Sequence, residues 1–220
     1  MQHFLPGAWR LAPLLWLAAL PALAQQPAPP VAPPTATPEA TAAPKPAVVH
    51  VTLTTSEGPI VLELEKDRAP ITTANFLRYV ANKRFDGTTF YRAVKVEDGY
   101  GLVQGGARND PKRVFPNIAH EPTTKTGLSH TDGAISMARG APGTASGDFF
   151  IVVGGFPTMN ADPSQPGDNL GFAVFGHVTQ GMDIVRHILV EPTSDAGGPA
   201  SMKGQMLTAP VKIISAKRSD

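Results

Sequence analysis

From Val48 onward the chain alternates. Val49, Val51 and Leu53 interleave with His50, Thr52 and Thr54, and Ile60, Leu62 and Leu64 interleave with Val61, Glu63 and Glu65. A period of two with one apolar face predicts a half-buried strand, and the Ser56-Glu57-Gly58-Pro59 turn between the runs predicts an antiparallel pair. After Pro70 the period lengthens: Ile71, Ala74, Phe76, Leu77 and Val80 recur at helical spacing, with Thr72 and Thr73 available as caps and Gly87 beyond the end, which predicts a helix over about 71–82. Short β-rich runs follow at Thr88 to Val94, Gly99 to Gln104, Ala134 to Ala138, Phe149 to Val153, Phe172 to Val178 and Val211 to Lys217, with a second helix at Met182 to Leu189. The expected fold is mainly β: a closed eight-stranded antiparallel barrel capped by two helices. Side chains fill the interior of so small a barrel, so a ligand belongs on its outer wall or in a surface groove.

The pattern before Val48 is different. Leu11 to Leu23 is almost wholly apolar, follows Arg10 and ends in Ala22-Leu23-Ala24, a small-x-small cleavage site, so residues 1–24 read as a signal peptide. About 13 apolar residues, broken by Pro13 and Pro21, fall short of the roughly 20 that a helical span needs, so no membrane span is expected after cleavage. Residues 25–47 are mostly Pro, Ala, Thr and Gln, the composition of a disordered linker. Residues 48–220 then form one domain, in a chain expected to be secreted, into a periplasm, and monomeric.

Charge and composition remove several functions. Cleavage takes away Arg10 and no acidic residue, which leaves 18 basic against 18 acidic side chains and no field to recruit nucleic acid. There is no cysteine, so disulfides, thiolate nucleophiles and thiolate-ligated metals are excluded together. Gly99, Gly101, Gly105 and Gly106 lack the spacing of a nucleotide loop, and no Gly-x-Ser-x-Gly or Asp-Thr/Ser-Gly occurs. The six histidines show no metal-ligand spacing, and Asn160 to Asn169 reads as turns rather than a calcium loop. No metal and no cofactor is expected.

What remains is an arginine among phenylalanines. In Phe90-Tyr91-Arg92 strict alternation puts Phe90 and Arg92 on one face and Tyr91 on the other. A charged five-donor fork on apolar surface calls for an acceptor, internal or from a ligand.

Six motifs run along the chain: Thr73-Ala74-Asn75-Phe76, Thr89-Phe90-Tyr91-Arg92, Val103-Gln104-Gly105-Gly106, Ile135-Ser136-Met137-Ala138, Phe149-Phe150-Ile151 and Val174-Phe175-Gly176. In this order they resemble the cyclophilin family of peptidyl-prolyl cis-trans isomerases, a resemblance that runs over 49–217. It implies that Arg92 is catalytic, that Phe90, Leu102 and Phe150 line a proline pocket, and that Gln104 bonds substrate backbone. It also implies that Ala138 and Arg139 edge the groove for the residue before proline, and that Phe172 stands where relatives often have histidine. For Phe90, plain barrel core is an equal alternative; for Arg92 the alternative is a structural ion pair. The stretch between Arg92 and Gln104 is longer than the usual pattern. Gly101 replaces a pocket phenylalanine, for which Tyr100 offers a ring, and Asp148 replaces a glutamine and brings a carboxylate toward Arg92. The family's tryptophan is absent, since Trp9 and Trp16 lie in the leader, so weak cyclosporin binding is expected. The resemblance therefore implies an isomerase of X-Pro bonds in unfolded or extended secreted polypeptides; a peptide-binding module or holdase with little turnover is the alternative.

Overall fold

A computed structural model describes residues 46–108 and 110–219; the leader and nearly all of the linker lie outside them. The strands are β1 (Val48–Thr55), β2 (Gly58–Glu65), β3 (Thr89–Glu97), β4 (Tyr100–Gly106), β5 (Ala134–Met137), β6 (Asp148–Val153), β7 (Ala173–Gln180), β8 (Thr193–Ser194) and β9 (Met206–Ser219). The helices are α1 (Pro70–Ala81), the single turn α2 (Thr123–Thr126) and α3 (Met182–Val190). The strand order is β1-β2-β7-β5-β6-β4-β3-β9, every pairing among the described residues is antiparallel, and β9 pairs back onto β1, so eight strands close a barrel. The two-residue β8 is an addition, a short pairing of Thr193 and Ser194 with the start of β9. The last strand begins at Met206 rather than near Val211, and this earlier start brings its first residues alongside Arg92.

Alternation sorts side chains as the pattern requires. Val51, Leu53, Ile60, Leu62 and Leu64 point inward and are completely buried, while His50, Glu63 and Glu65 stand outside. Phe76 from α1 plugs the barrel, its ring 4.8 Å from Phe85, 5.4 Å from Phe149 and 5.3 Å from Phe175. Such tilted and edge-on pairs are the favoured aromatic geometries. Val185, Ile188 and Leu189 of α3 join the same core.

The N-terminus of α1 departs from expectation. Neither Thr72 nor Thr73 caps it from the preceding turn. Instead the Glu121 carboxylate, 1% exposed, accepts from the N–H groups of Ile71 (3.2 Å) and Thr72 (2.7 Å) and from the Thr72 hydroxyl (2.6 Å). An anion at a helix N-terminus satisfies free donors and opposes the helix dipole favourably.

Candidate active site

The site is built on a fault in β3. Phe90 pairs with Gly105 of β4, and the next paired residue is Arg92, with Gln104; toward β9, Phe90 pairs with Val211 and Arg92 with Met206. Tyr91 is therefore the extra residue of a β-bulge, which re-aims the side chains on either side of it. Phe90 and Arg92 consequently do not share a face, contrary to the strict alternation. Phe90 is completely buried inside the barrel, edge-on to Phe149 with ring centres 5.8 Å apart, so it is core and not a wall of the groove. Arg92 is half-buried on the outside, and Tyr91 is turned to the same side.

Registers place Met206, Arg92, Gln104, Phe150 and Ser136 on one rung running across β9, β3, β4, β6 and β5. Strand spacing of about 4.8 Å puts Arg92 and Phe150 roughly 10 Å apart at the backbone, a gap that an extended arginine spans. Arg92 is held from two sides. Its Nε and Nη2 donate to Gln205 Oε1 at 2.8 and 2.5 Å, and its Nη1 donates to Gln104 Oε1 at 2.7 Å. Of the five N–H groups of a guanidinium these use three, leaving two, one on each terminal nitrogen, without a partner among the described residues and available to a ligand.

The chain of bonds continues away from the arginine. Gln104 Nε2 donates to the Tyr91 hydroxyl at 2.7 Å, and the Asp148 carboxylate is close enough to act on the Tyr91 phenol. Asp148 Oδ1 also accepts the Arg108 N–H at 2.7 Å, and the Arg108 guanidinium lies 4.9 Å from the centre of the Tyr91 ring. The carboxylate expected to approach Arg92 thus reaches it only through Tyr91 and Gln104. Burial, more than any neighbour, pushes the Asp148 carboxyl above its ordinary value, against the pull of the Arg108 N–H and the Tyr91 hydroxyl. Burial also raises the Tyr91 phenol, with the Asp148 charge acting in the same direction, and it lowers Arg92. Gln104 is 5% exposed and both ends of its amide are engaged, so it orients Arg92 in this arrangement.

Beside the rung lies an apolar wall. Leu102, Phe150, Val152 and Val174 form a cluster on the outer surface, with Tyr100, Ala138 and Phe172 packed against it. Phe150 is edge-on to Phe172 at 5.4 Å and parallel to the imidazole of His130 at 5.9 Å. Tyr100 stacks on Phe156 at 4.3 Å. Its neighbour Gly101 faces the other way: a Cβ there would sit 2.1 Å from the Val94 carbonyl oxygen and 2.8 Å from Leu189. Position 101 therefore cannot carry a ring, and the only aromatic in that stretch of β4 is Tyr100.

Next to the wall a groove of about 740 Å³ runs past Tyr91, Gln104, Ala138 and Asp148, with Met202 and Met206 on its far bank. Arg139 borders it, but its charge is already matched. The guanidinium donates to both Asp168 oxygens at 2.7 and 3.0 Å and to the Gly171 carbonyl at 2.9 and 2.5 Å, and lies over the Phe172 ring. Arg139 thereby fixes the loop that carries Phe172, which lies just before β7 rather than in it.

Four participants have no signal in local sequence. Gln205 lies 113 residues from Arg92. Tyr91 is visible only once the bulge is. Buried His130 pairs with half-buried Asn160: Asn160 Oδ1 takes the Nδ1 proton at 2.7 Å, and Nε2 accepts from the Ser136 hydroxyl at 3.0 Å. Burial lowers the His130 pKa and keeps the ring neutral behind Phe150.

Comparison with known proteins agrees with this geometry. Residues 50–218 match the family described as cyclophilin type peptidyl-prolyl cis-trans isomerase/CLD. A peptidyl-prolyl cis-trans isomerase of Acinetobacter baylyi is 35% identical over 166 residues, 75% of this chain and 82% of the relative. Peptidyl-prolyl cis-trans isomerase A of Dickeya dadantii is 34% identical over 169 residues, 76% of this chain and 83% of the relative. A crystal structure of a cyclophilin type isomerase from Cryptosporidium parvum superposes with a TM-score of 0.58 at 23% identity, covering 79% of this chain and 99% of that one, a likeness of fold. A closed eight-stranded barrel, an outward arginine beside an apolar wall and this family match lead to one conclusion: the chain belongs to the cyclophilin family of peptidyl-prolyl cis-trans isomerases.

Proposed function

We propose that this isomerase acts on X-Pro bonds of unfolded or extended polypeptides outside the cytoplasm, with Arg92 as its catalytic residue and Leu102, Phe150 and Phe172 receiving the proline ring. The observation that carries the reading is the clamp on Arg92, a guanidinium fixed by Gln104 and Gln205 with two donors free, on the same outer face as the Leu102 and Phe150 wall. Amide resonance sets a barrier of about 18–20 kcal/mol to rotation, and no bond has to break. In the twisted amide the proline nitrogen becomes pyramidal and its lone pair accepts a hydrogen bond. A donor fixed beside that nitrogen favours the twisted state over both planar isomers, which is catalysis by differential binding. A 10⁵-fold acceleration needs about 7 kcal/mol of that preference. A likeness of the fold was crystallised in the presence of the dipeptide Ala-Pro, which is consistent with a proline subsite.

Exchange NMR or a protease-coupled assay on a short X-Pro peptide tests the assignment. Removing one preorganised donor typically costs about 10²–10³ in rate, so Arg92→Ala is expected to lose at least about a hundredfold. A variant that turns over like the wild type refutes the role of Arg92. Secretion into a periplasm and action on secreted clients rest on the leader and linker composition, and Gln25 at the N-terminus of exported protein is the expected result of sequencing it. Cyclosporin is expected to inhibit weakly because no tryptophan follows Ala24; a nanomolar inhibition constant overturns that expectation.

A further inference from the structure

On the other side of the barrel from Arg92, three strands place two histidines against one carboxylate. His50 of β1 is directly opposite Glu63 of β2, and Glu63 is directly opposite His177 of β7. Directly opposite residues have Cβ atoms about 5 Å apart, so the register alone brings these side chains together on the outer surface. His50 Nε2 lies 3.2 Å from Glu63 Oε2, and His177 Nε2 lies 3.9 Å from Glu63 Oε1. Glu65, two residues along β2 and therefore on the same face, adds a second carboxylate. Ligand atoms of Glu63, Glu65 and His177 all lie within 4.8 Å of one another.

We propose that this rung is a binding site for a zinc-class divalent cation, with His177, Glu63 and Glu65 as its ligands and His50 as a fourth donor from the opposite flank. Bonds of roughly 2.0–2.1 Å meeting at the tetrahedral angle separate ligand atoms by about 3.3 Å, and the two His–Glu separations bracket that value. The donor set is selective: imidazole together with carboxylate suits zinc and its transition-metal neighbours, whereas calcium and magnesium take oxygen alone. The histidine side chains are 42% and 45% exposed and Glu63 is 21% exposed, so an ion reaches them from solvent without opening the barrel. Arg68 faces the cluster as a cation, 3.8 Å from Glu65. It also donates to the carbonyls of Thr126 and Gly127, which keep it placed when Glu65 turns to the metal.

Bound there, the ion ties β1, β2 and β7 together across a ladder that carries a register shift between Val61 and Leu62. Between the site and the strand of Arg92 stand β9 on one side and β5, β6 and β4 on the other. Its occupancy should therefore raise stability without changing turnover.

Calorimetric titration of the full chain with zinc chloride, after removal of metal by a chelator, tests the site. Wild type should bind one equivalent, and His177→Ala and Glu63→Gln should each weaken binding more than about tenfold, the loss already typical when only a supporting partner of a ligand is removed. His50→Ala should weaken it less. His187→Ala removes a separate His–Glu pair, His187 of α3 lying 3.1 Å from Glu191 just past its end, and should change nothing. Zinc should raise the melting temperature of wild type and leave that of His177→Ala unmoved, a readout that also reveals any variant that fails to fold. Absence of binding by wild type, or binding that survives both His177→Ala and Glu63→Gln, would overturn the proposal, and zinc inhibition of turnover that His177→Ala abolishes would overturn the independence of the site from Arg92.

Discussion

Replacing Gln205 isolates how much of the proposed catalysis depends on holding Arg92 still. Gln205 Oε1 accepts from Nε at 2.8 Å and Nη2 at 2.5 Å, so one oxygen fixes the plane of the guanidinium and Gln104 alone remains when it is removed. A hydrogen bond to a charged group contributes about 1.5–3 kcal/mol in a protected setting. Arg92 is half-buried, so water replaces part of what Gln205→Ala removes, and about 1–2 kcal/mol of transition-state stabilisation should be lost. That corresponds to a roughly 5- to 30-fold fall in kcat/KM. The fall should appear in kcat, since an arginine that wanders still meets the ground-state peptide but is misplaced for the pyramidal nitrogen. Gln205→Glu keeps an oxygen at the same reach and should recover most of the activity. Gln205 lies in the loop before β9, outside the barrel core, so the melting temperature should move little. Turnover within twofold of wild type in Gln205→Ala, or a Gln205→Glu variant as impaired as the alanine, would refute the clamp.

Three further outcomes follow from the geometry. Gly101→Ala sets a methyl group 2.1 Å from the Val94 carbonyl oxygen, and the overpacking should cost about 3 kcal/mol or more in urea denaturation; a change under 1 kcal/mol contradicts it. Burial raises the Asp148 carboxyl, so the fold favours its protonated form, and the cost of ionisation is absent below the unfolded value of 3.8 and grows as pH rises through it. Asp148→Asn should therefore match wild type in stability at pH 3 and gain on it toward pH 6 in parallel melts; a gap independent of pH contradicts the reasoning. His130 is lowered by burial, so the unfolded chain takes up its proton first and stability falls as pH drops below the unfolded value of 6.5; His130→Gln should flatten that fall in melts between pH 7 and 5.

Much of the barrel is legible from local period because each strand half-buries itself: inward Val51, Leu53, Ile60, Leu62 and Leu64 occupy alternate positions, and the helix expected at 71–82 is found at Pro70–Ala81. Local period stops being informative where a residue answers to a distant strand. The bulge at Tyr91 is defined by the registers of β3 with its two neighbours, and nothing in Phe90-Tyr91-Arg92 by itself announces the extra residue. The Glu121 cap of α1 lies about 50 residues downstream of the groups it serves, and Gln205 is farther still from Arg92. The cluster on the far wall makes the same point more sharply. His50, Glu63 and His177 have no recognisable spacing along the chain, yet they are successive members of one rung once β1, β2 and β7 are neighbours. A search for ligand motifs in sequence is a search for helical or loop spacings, because only those elements put sequence neighbours on one side of an ion. On a barrel wall the relevant neighbours lie along the hydrogen-bond direction, about 4.8 Å apart in space and 13 or 114 residues apart here in sequence. The same holds for Arg92, since Met206, Gln104 and Phe150 are its rung neighbours and none is near it in the chain. Chemistry on a closed barrel is therefore read across strands, and strand order is the information that converts a list of residue types into a site.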